Sequence, residues 1–296
     1  MRDEVIELLD IKSKGIYMDC TIGFGGHSLN ILKKLGTDGQ LIGIDLDPYA
    51  LKKTKEKLNK HNNISLHNNS YSAFPQILEK MGIKKVDGIL LDLGISSYQV
   101  DSEHRGFSYM KDANLDMRFN NDDDNQSSAK DIINKIKLDD LTYAFKQYTN
   151  LKRPTYLAKK IIKSRETKKI NTTFDLRNVI KEIVKKDSFK ILSQIFQAIR
   201  IIVNDEIEVL KKTLIYTLDY LKVGGRIAII SFHSIEDRII KHFLKNVTIY
   251  KNNSYDIEYQ NLDKKFKLIN KKPILETTTN NSRARSAKLR VAERIA

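Results

Sequence analysis

Tryptophan is absent from this 296-residue chain, cysteine occurs once and proline four times. A lone cysteine, Cys20, excludes an internal disulfide, and without companion Cys or His at ligand spacing it nominates no metal site. Its expected place is that of a small buried strand residue. No apolar run approaches the ~18 residues of a membrane span. The opening Met1-Arg2-Asp3-Glu4-Val5 lacks the apolar stretch of a secretion signal, so a cytoplasmic location is expected. Glycine, at 13 residues and without a period, excludes a collagen-like chain, and no repeat of roughly 20 to 50 residues marks a solenoid or propeller.

What is present suits one large or two modest globular domains, with 41% apolar and 30% charged residues. Lys and Arg outnumber Asp and Glu by 52 to 37, a net charge of +15 with a pI near 9.5. The excess is local: residues 142–190 carry 14 basic and 4 acidic side chains, and residues 263–296 carry 10 and 3. Residues 101–141 are instead acidic, with 10 Asp/Glu against 6 Lys/Arg and the run Asp122-Asp123-Asp124. Two basic segments suit a polyanionic partner such as RNA. A Lys-rich residue usage on solvated helix faces yields the same count, because enrichment by itself carries no geometry.

Hydrophobic spacing organises the chain. Gly15 to Cys20, Leu41 to Asp45, Ile64 to His67 and Val86 to Asp92 read as strands, alternating with helices over Ser28 to Leu35 and Ala50 to Leu58. That order predicts βαβ units and a parallel sheet. From Ser127 to Val203 the spacing turns helical, as in Val179, Ile180, Ile183 and Val184. A helix from Ile207 is expected to end at Gly224-Gly225, a C-cap signal, ahead of a fifth strand over Arg226 to Phe232. Residues 96–203 therefore read as a mostly helical domain inserted into an α/β domain made of residues 1–95 and 204–296. A final strand is expected over Ala287 to Ala292.

Gly23-Phe24-Gly25-Gly26-His27-Ser28 lies between a strand and a helix, where glycines let backbone approach a ligand and the helix N-terminus offers free N–H groups. Asp45 ends the next strand about 20 residues on, where a carboxylate can accept both ribose hydroxyls of an adenosine cofactor. NAD and S-adenosyl-L-methionine both fit this much. Asp19, four residues before Gly23, favours the second, since a carboxylate there repels a pyrophosphate but suits an ammonium, directly or through water. Asp92 ends the fourth strand over the edge where open α/β folds bind ligands. Tyr71, after the third strand, offers a ring for adenine or simply a half-buried tyrosine.

At these residues the sequence resembles a known family. The stretches Asp19 to Ser28, Leu90 to Gln99, Arg105 to Tyr109, Leu115 to Arg118, Phe196 to Arg200, Ile230 to Arg238 and Arg283 to Arg290 closely resemble, in order and across nearly the whole chain, the signatures of the RsmH (MraW) family. Those are bacterial 16S ribosomal RNA cytosine-N4 methyltransferases. The resemblance implies a class I S-adenosylmethionine-dependent methyltransferase sheet, Rossmann-like, with an inserted substrate-recognition domain. Cofactor contacts carry over to Gly25, Gly26, His27, Asp45, Tyr71, Asp92 and Gln99, joined by Asp19 and Gly23 from the residue reading. The implied partner is 16S rRNA in the small ribosomal subunit, with a homodimer implied by the resemblance alone. Three departures stand out. The family's His-x-Pro-Val-like opening is missing, which implies a late start or a lost segment. Ile191-Leu192-Ser193-Gln194 replaces a Pro-Ala-Thr-Arg-like run before Phe196, and Ser282 replaces a common Pro.

Methylating the exocyclic N4 of cytosine requires the amino group held in line with an activated methyl, with an acceptor drawing on its hydrogens. His233 or Asp116 is expected to contact the target base, while Asp92 mainly orients the cofactor. Both candidates also have structural roles open to them, His233 as a helix cap and Asp116 as the ion-pair partner of Arg118. Arg105-Gly106-Phe107-Ser108 reads as a loop closing over cofactor or RNA. Competing functions are an NAD-dependent oxidoreductase on the same sheet and a non-catalytic RNA-binding assembly factor.

Overall fold

Apolar β-branched runs feeding into helices dominate the first ninety residues, and the computed structural model builds them into a parallel sheet. It describes residues 1–184, 188–245, 247–251, 257–261, 265–276 and 282–296. The chain divides into two compact units, Met1–Gly94 with Ile207–Ala296, and Ile95–Glu206.

In the first unit a short helix α1 (Arg2–Leu9) precedes β1 (Ile16–Asp19), α2 (Gly26–Lys34) and β2 (Gln40–Asp45). Then come α3 (Pro48–Lys57), β3 (Ile64–Asn68), α4 (Phe74–Lys80) and β4 (Val86–Asp92). α3 starts where Asp47 accepts from the backbone N–H groups of Tyr49 and Ala50, with Pro48 in the first turn supplying a helical φ at no cost in hydrogen bonds. Ile89, Leu90 and Leu91 of β4 are all fully buried, as a strand covered on both faces requires.

The second unit is helical: α5 (Ser97–Asp101), α6 (Ala129–Lys135), α7 (Leu138–Tyr148), α8 (Pro154–Thr167), α9 (Thr173–Ile183) and α10 (Ser188–Asn204). Three of them begin in capping boxes, Ser96 with Gln99, Ser128 with Asp131 and Thr172 with Asp175, so side chains satisfy the first free N–H groups. Ile133, Leu141, Phe145, Ile161, Leu176, Ile180 and Ile195 meet in a single core.

The first unit resumes with α11 (Glu206–Tyr220), β5 (Leu221–Ser231) and α12 (Ser234–Leu244). It closes with the hairpin β6 (Val247–Lys251) and β7 (Ile257–Asn261), then β8 (Phe266–Leu268), β9 (Ile274–Leu275) and β10 (Lys288–Arg294). The main sheet runs β3-β2-β1-β4-β5-β10-β8, with β9 also on β10. β1 to β5 pair in parallel and β10 is antiparallel to β5.

Gly224-Gly225 does not cap the helix, contrary to the sequence reading. α11 stops at Tyr220, Leu221 pairs with Val86, and the register shifts before Arg226 pairs with Gly88. Leu221 is completely buried, so hydrophobic burial draws the chain into the sheet early. Gly224, at φ +80°, absorbs the irregularity in a conformation other residues avoid.

Candidate functional site

Strand order and register bring the acidic residues together. Asp19 is level with Gly43 of β2 on one side and Leu90 of β4 on the other. Asp45 and Asp92 end those neighbours two residues farther on. The carboxyl ends of β2, β1 and β4 thus form a row of three carboxylates, with Asp19 recessed by about 7 Å of strand rise. Tyr71, opening the short 3-10 turn after β3, flanks the row, and Ser231 ends β5 on its other side. β1 lies where the order reverses, β2 and β3 to one side and β4 and β5 to the other, the place where open α/β sheets bind ligands.

The loop after β1 is tied to both neighbouring strands. The Thr21 hydroxyl accepts from the Asp92 backbone N–H at 2.6 Å. Asp45 Oδ2 accepts from Gly23 N–H at 2.7 Å, and its Oδ1 accepts from Asp47 N–H at 2.8 Å. Thr54 of α3 donates to the Gly23 carbonyl at 2.6 Å. Gly25, at φ +67°, is the N-cap of α2. A Cβ there would stand 3.1 Å from Thr54 Cγ2 and 3.2 Å from Leu58 Cδ1, so this turn needs glycine for conformation and for space. Gly26 and His27 follow in the first turn of α2, whose free N–H groups suit a ligand carboxylate.

Burial sets the electrostatics. Asp19, 1% exposed, accepts from Ser28 Oγ at 2.6 Å, and burial raises its pKa to about 6 against the pull of that bond. Asp45 is likewise pushed up to about 6 by burial, opposed by its backbone donors. Asp92 is raised to about 7, by burial first and then by the charges of Asp19 and Glu236. His27 goes the other way, to about 4, through burial and the nearby charge of Arg2, so its ring is neutral at pH 7. His27 Nε2 stands 3.6 Å from Asp92 Oδ2, too far for a hydrogen bond. Among the described residues, His27 Nδ1, Asp92 Oδ1 and Ser231 Oγ are buried without a hydrogen-bond partner. Buried polar atoms are normally paired, so three orphans around one strand-end row mark a place shaped for a polar ligand. S-adenosyl-L-methionine, with ribose hydroxyls, a carboxylate and two cationic centres, fits these donors and acceptors.

Of the remaining candidates, His233 is the N-cap of α12: its Nδ1 accepts from Glu236 N–H at 3.4 Å, and the Glu236 carboxylate accepts from the N–H groups of Phe232 and His233. His233 Nε2 lies 3.1 Å from Glu236 Oε1, yet the alignment is too poor for a hydrogen bond; the direction of the ring, rather than the distance, decides that. Asp116, in the second unit, holds Arg118 through both oxygens, at 2.7 and 3.0 Å. Arg118 in turn donates to the carbonyls of Asn121, Asp123 and Gln126, closing the acidic loop. Gln99, also in the second unit, accepts from Ser96 N–H within the α5 capping box. Arg105 and Phe107 form part of that unit's packed interior, 5% and 7% exposed, with Phe107 stacked on Phe119, so this segment does not have the exposure of a closing loop. Arg200 is held by Glu206 at 2.7 and 2.9 Å.

Sequence reading missed the roles of Thr21, Ser28 and Thr54. Ser28 and Thr54 are fully buried polar residues. Their one visible signal is a hydroxyl on an otherwise apolar helix face, which alone is indistinguishable from a cap.

Residues 1–295 match the family model described as the MraW methylase family. A protein named Ribosomal RNA small subunit methyltransferase H from Clostridium botulinum (strain Loch Maree / Type A3) is 43% identical over 303 residues, covering 99% of this chain and 97% of that protein. Proteins of the same name from Halothermothrix orenii and Caldicellulosiruptor saccharolyticus are 41% identical over 301 residues and 43% over 300, each covering 99% of this chain and 96% and 97% of their own lengths.

Proposed function

The chain belongs to the MraW methylase family, and from that membership we propose that it methylates the exocyclic N4 of a cytosine in the P site of 16S rRNA, within small ribosomal subunits in the cytoplasm. It is an S-adenosyl-L-methionine-dependent methyltransferase with a class I α/β sheet. The observation that carries the reading of the site is the row of Asp19, Asp45 and Asp92 at adjacent strand ends, with orphaned His27 Nδ1 and Asp92 Oδ1 beside it.

S-adenosyl-L-methionine supplies a methyl already activated on a sulfonium. Asp45 keeps lone pairs free beside its two backbone donors, and these are assigned to the ribose hydroxyls. Gly23, Gly25, Gly26 and His27 bring backbone N–H groups and one ring nitrogen to the methionine end. Asp19, sealed under the loop by Ser28 and Thr21, acts through its charge on the ammonium. Tyr71 is assigned to adenine. Asp92, with its buried unpaired oxygen, holds the cofactor's orientation. Gln99 is assigned to the cofactor by resemblance.

For the base, alignment of N4 on the methyl is the main contribution, on the order of 7 to 11 kcal/mol for a well-placed pair. His233 at the head of α12 is assigned to the cytosine. Asp116 is the weaker candidate, because Arg118 occupies both of its oxygens. A homodimer belongs to the same reading and is tested by sedimentation.

The deciding experiment offers methyl-labelled cofactor with isolated small subunits, free 16S RNA and DNA, followed by nucleoside analysis. N4-methylcytidine from small-subunit RNA is the expected product; label on protein, or on no nucleic acid, overturns the proposal.

A further inference from the structure

We propose that the solvent face of α8 is an RNA-backbone-binding surface, with Arg153, Lys159, Lys160 and Lys163 on phosphates and Tyr156 against a base. This rests on RNA being the polymeric substrate and says which part of the chain grips it.

At about 100° per residue, Arg153, Tyr156, Lys159, Lys160 and Lys163 fall within an arc of roughly 120°, spread over about 15 Å of helix length. All five are exposed, while Leu157, Ala158 and Ile161 on the opposite face are buried in the unit's core. Lys152 continues the exposed stripe just ahead of the helix. No Asp or Glu occurs from Leu141 to Arg165, and none of these cations forms an ion pair among the described residues. What sets α8 apart is the absence of any carboxylate along the stripe together with a ring set among the cations, whereas several lysines elsewhere are neutralised. Lys53 pairs with Glu56, Lys168 with Asp175, Lys211 with Glu208 and Lys222 with Asp87. Arg165, on the same helix, shows what a structural cation does here: its guanidinium donates to the carbonyls of Ile133 and Ile136.

Unneutralised like charges one turn apart destabilise a helix, so the arrangement is costly without a polyanion to hold. Tyr156 argues for nucleic acid over an acidic protein. It is 45% exposed in the middle of the cations, with Lys160 Nζ 5.6 Å from the ring centroid. A ring presented beside phosphate-seeking side chains is the arrangement that stacks an unpaired base while the charges track the backbone.

The test measures binding of the full-length protein to protein-free 16S RNA over a salt series, alongside methyl transfer. Replacing Lys159, Lys160 and Lys163 together by Gln is expected to lower the slope of log K against log salt by about 2, since each phosphate contact contributes roughly 0.7 to 0.9. Affinity at 100 mM salt should drop at least tenfold, with cofactor binding unchanged and the melting temperature unchanged or higher. Tyr156→Ala should weaken binding severalfold at every salt concentration, and Tyr156→Phe should restore it. Lys52→Gln with Lys55→Gln on α3 serves as the charge control. An unchanged slope in the triple variant, or an equal drop in the control, overturns the proposal. So does a defect confined to assembled subunits, which would make the partner a ribosomal protein. Methyl transfer by the wild-type protein is read separately, so failure of the assigned reaction leaves the binding result interpretable.

Discussion

Asp19, Asp45 and Asp92 have pKa values raised to about 6, 6 and 7, chiefly by burial. An acid whose folded pKa exceeds its unfolded value keeps its proton longer in the folded state. These groups therefore subtract stability progressively as pH rises from about 4 to about 7. A cationic ligand reverses that penalty, because it favours the charged carboxylates. The melting temperature of the ligand-free protein should accordingly carry a downward component over this window, and the thermal shift given by S-adenosyl-L-methionine should grow from pH 5.5 to 8. Asp92→Asn should leave ligand-free stability at pH 8 unchanged or higher, yet weaken cofactor binding at least tenfold, about 1.4 kcal/mol, by calorimetry. Reduced stability with unchanged cofactor affinity would assign Asp92 to the fold instead. As residue types at strand ends, all three acids are legible in the sequence. The depth of Asp19, and its partners Ser28 and Thr21, are not, because they follow from how β1 registers between β2 and β4.

Helix starts are where local sequence and site coincide. Gly25 is both the N-cap of α2 and a point where the loop packs too closely on α3 to admit a side chain. Gly25→Ala should cost about 1 to 2 kcal/mol from the left-handed backbone alone, with further loss from contact with Thr54, and should lower cofactor affinity; urea unfolding and calorimetry separate the two. His233 caps α12, so His233→Ala should cost about 1 kcal/mol in stability. Asn at that position retains a cap, which separates structure from chemistry. If His233 contacts the base, both His233→Ala and His233→Asn lose methyl transfer at unchanged cofactor affinity; recovery in the Asn variant would leave the histidine a cap only. Two signature motifs meet at this helix for structural reasons. Although burial opposes it, Arg290 at 2.7 Å and Lys288 at 3.1 Å hold Asp237 below the usual carboxylate range, pinning α12 to β10. Gly224-Gly225 shows the opposite limit of local reading. A glycine pair after a helical run signals a cap, but lateral pairing of a buried Leu221 with Val86 outweighs it.

Across the whole molecule the charge is distributed by segment, the basic excess lying in residues 142–190 and 263–296. If about six phosphates are neutralised, RNA affinity should fall by ~10³ between 50 and 200 mM salt; a flat response in filter binding would return the lysines to ordinary solvation. Both basic segments include residues outside the described ones; within the first, α8 gives the charge a surface. Sequence by itself determined the alternation of strands and helices, the shift to helical spacing from Ser127, and the acidic residues at strand ends, because each depends on periodicity or on neighbours within a few positions. Only the tertiary structure decided which polar groups are spent and which remain available. It placed Asp19 beneath the loop, committed Asp116 to Arg118 and Arg200 to Glu206, left His27 and Asp92 with unpaired atoms among the described residues, and gathered the cations of α8 with Tyr156 on one exposed face. Those outcomes depend on register, burial and contacts between residues far apart in the chain, which no local pattern encodes.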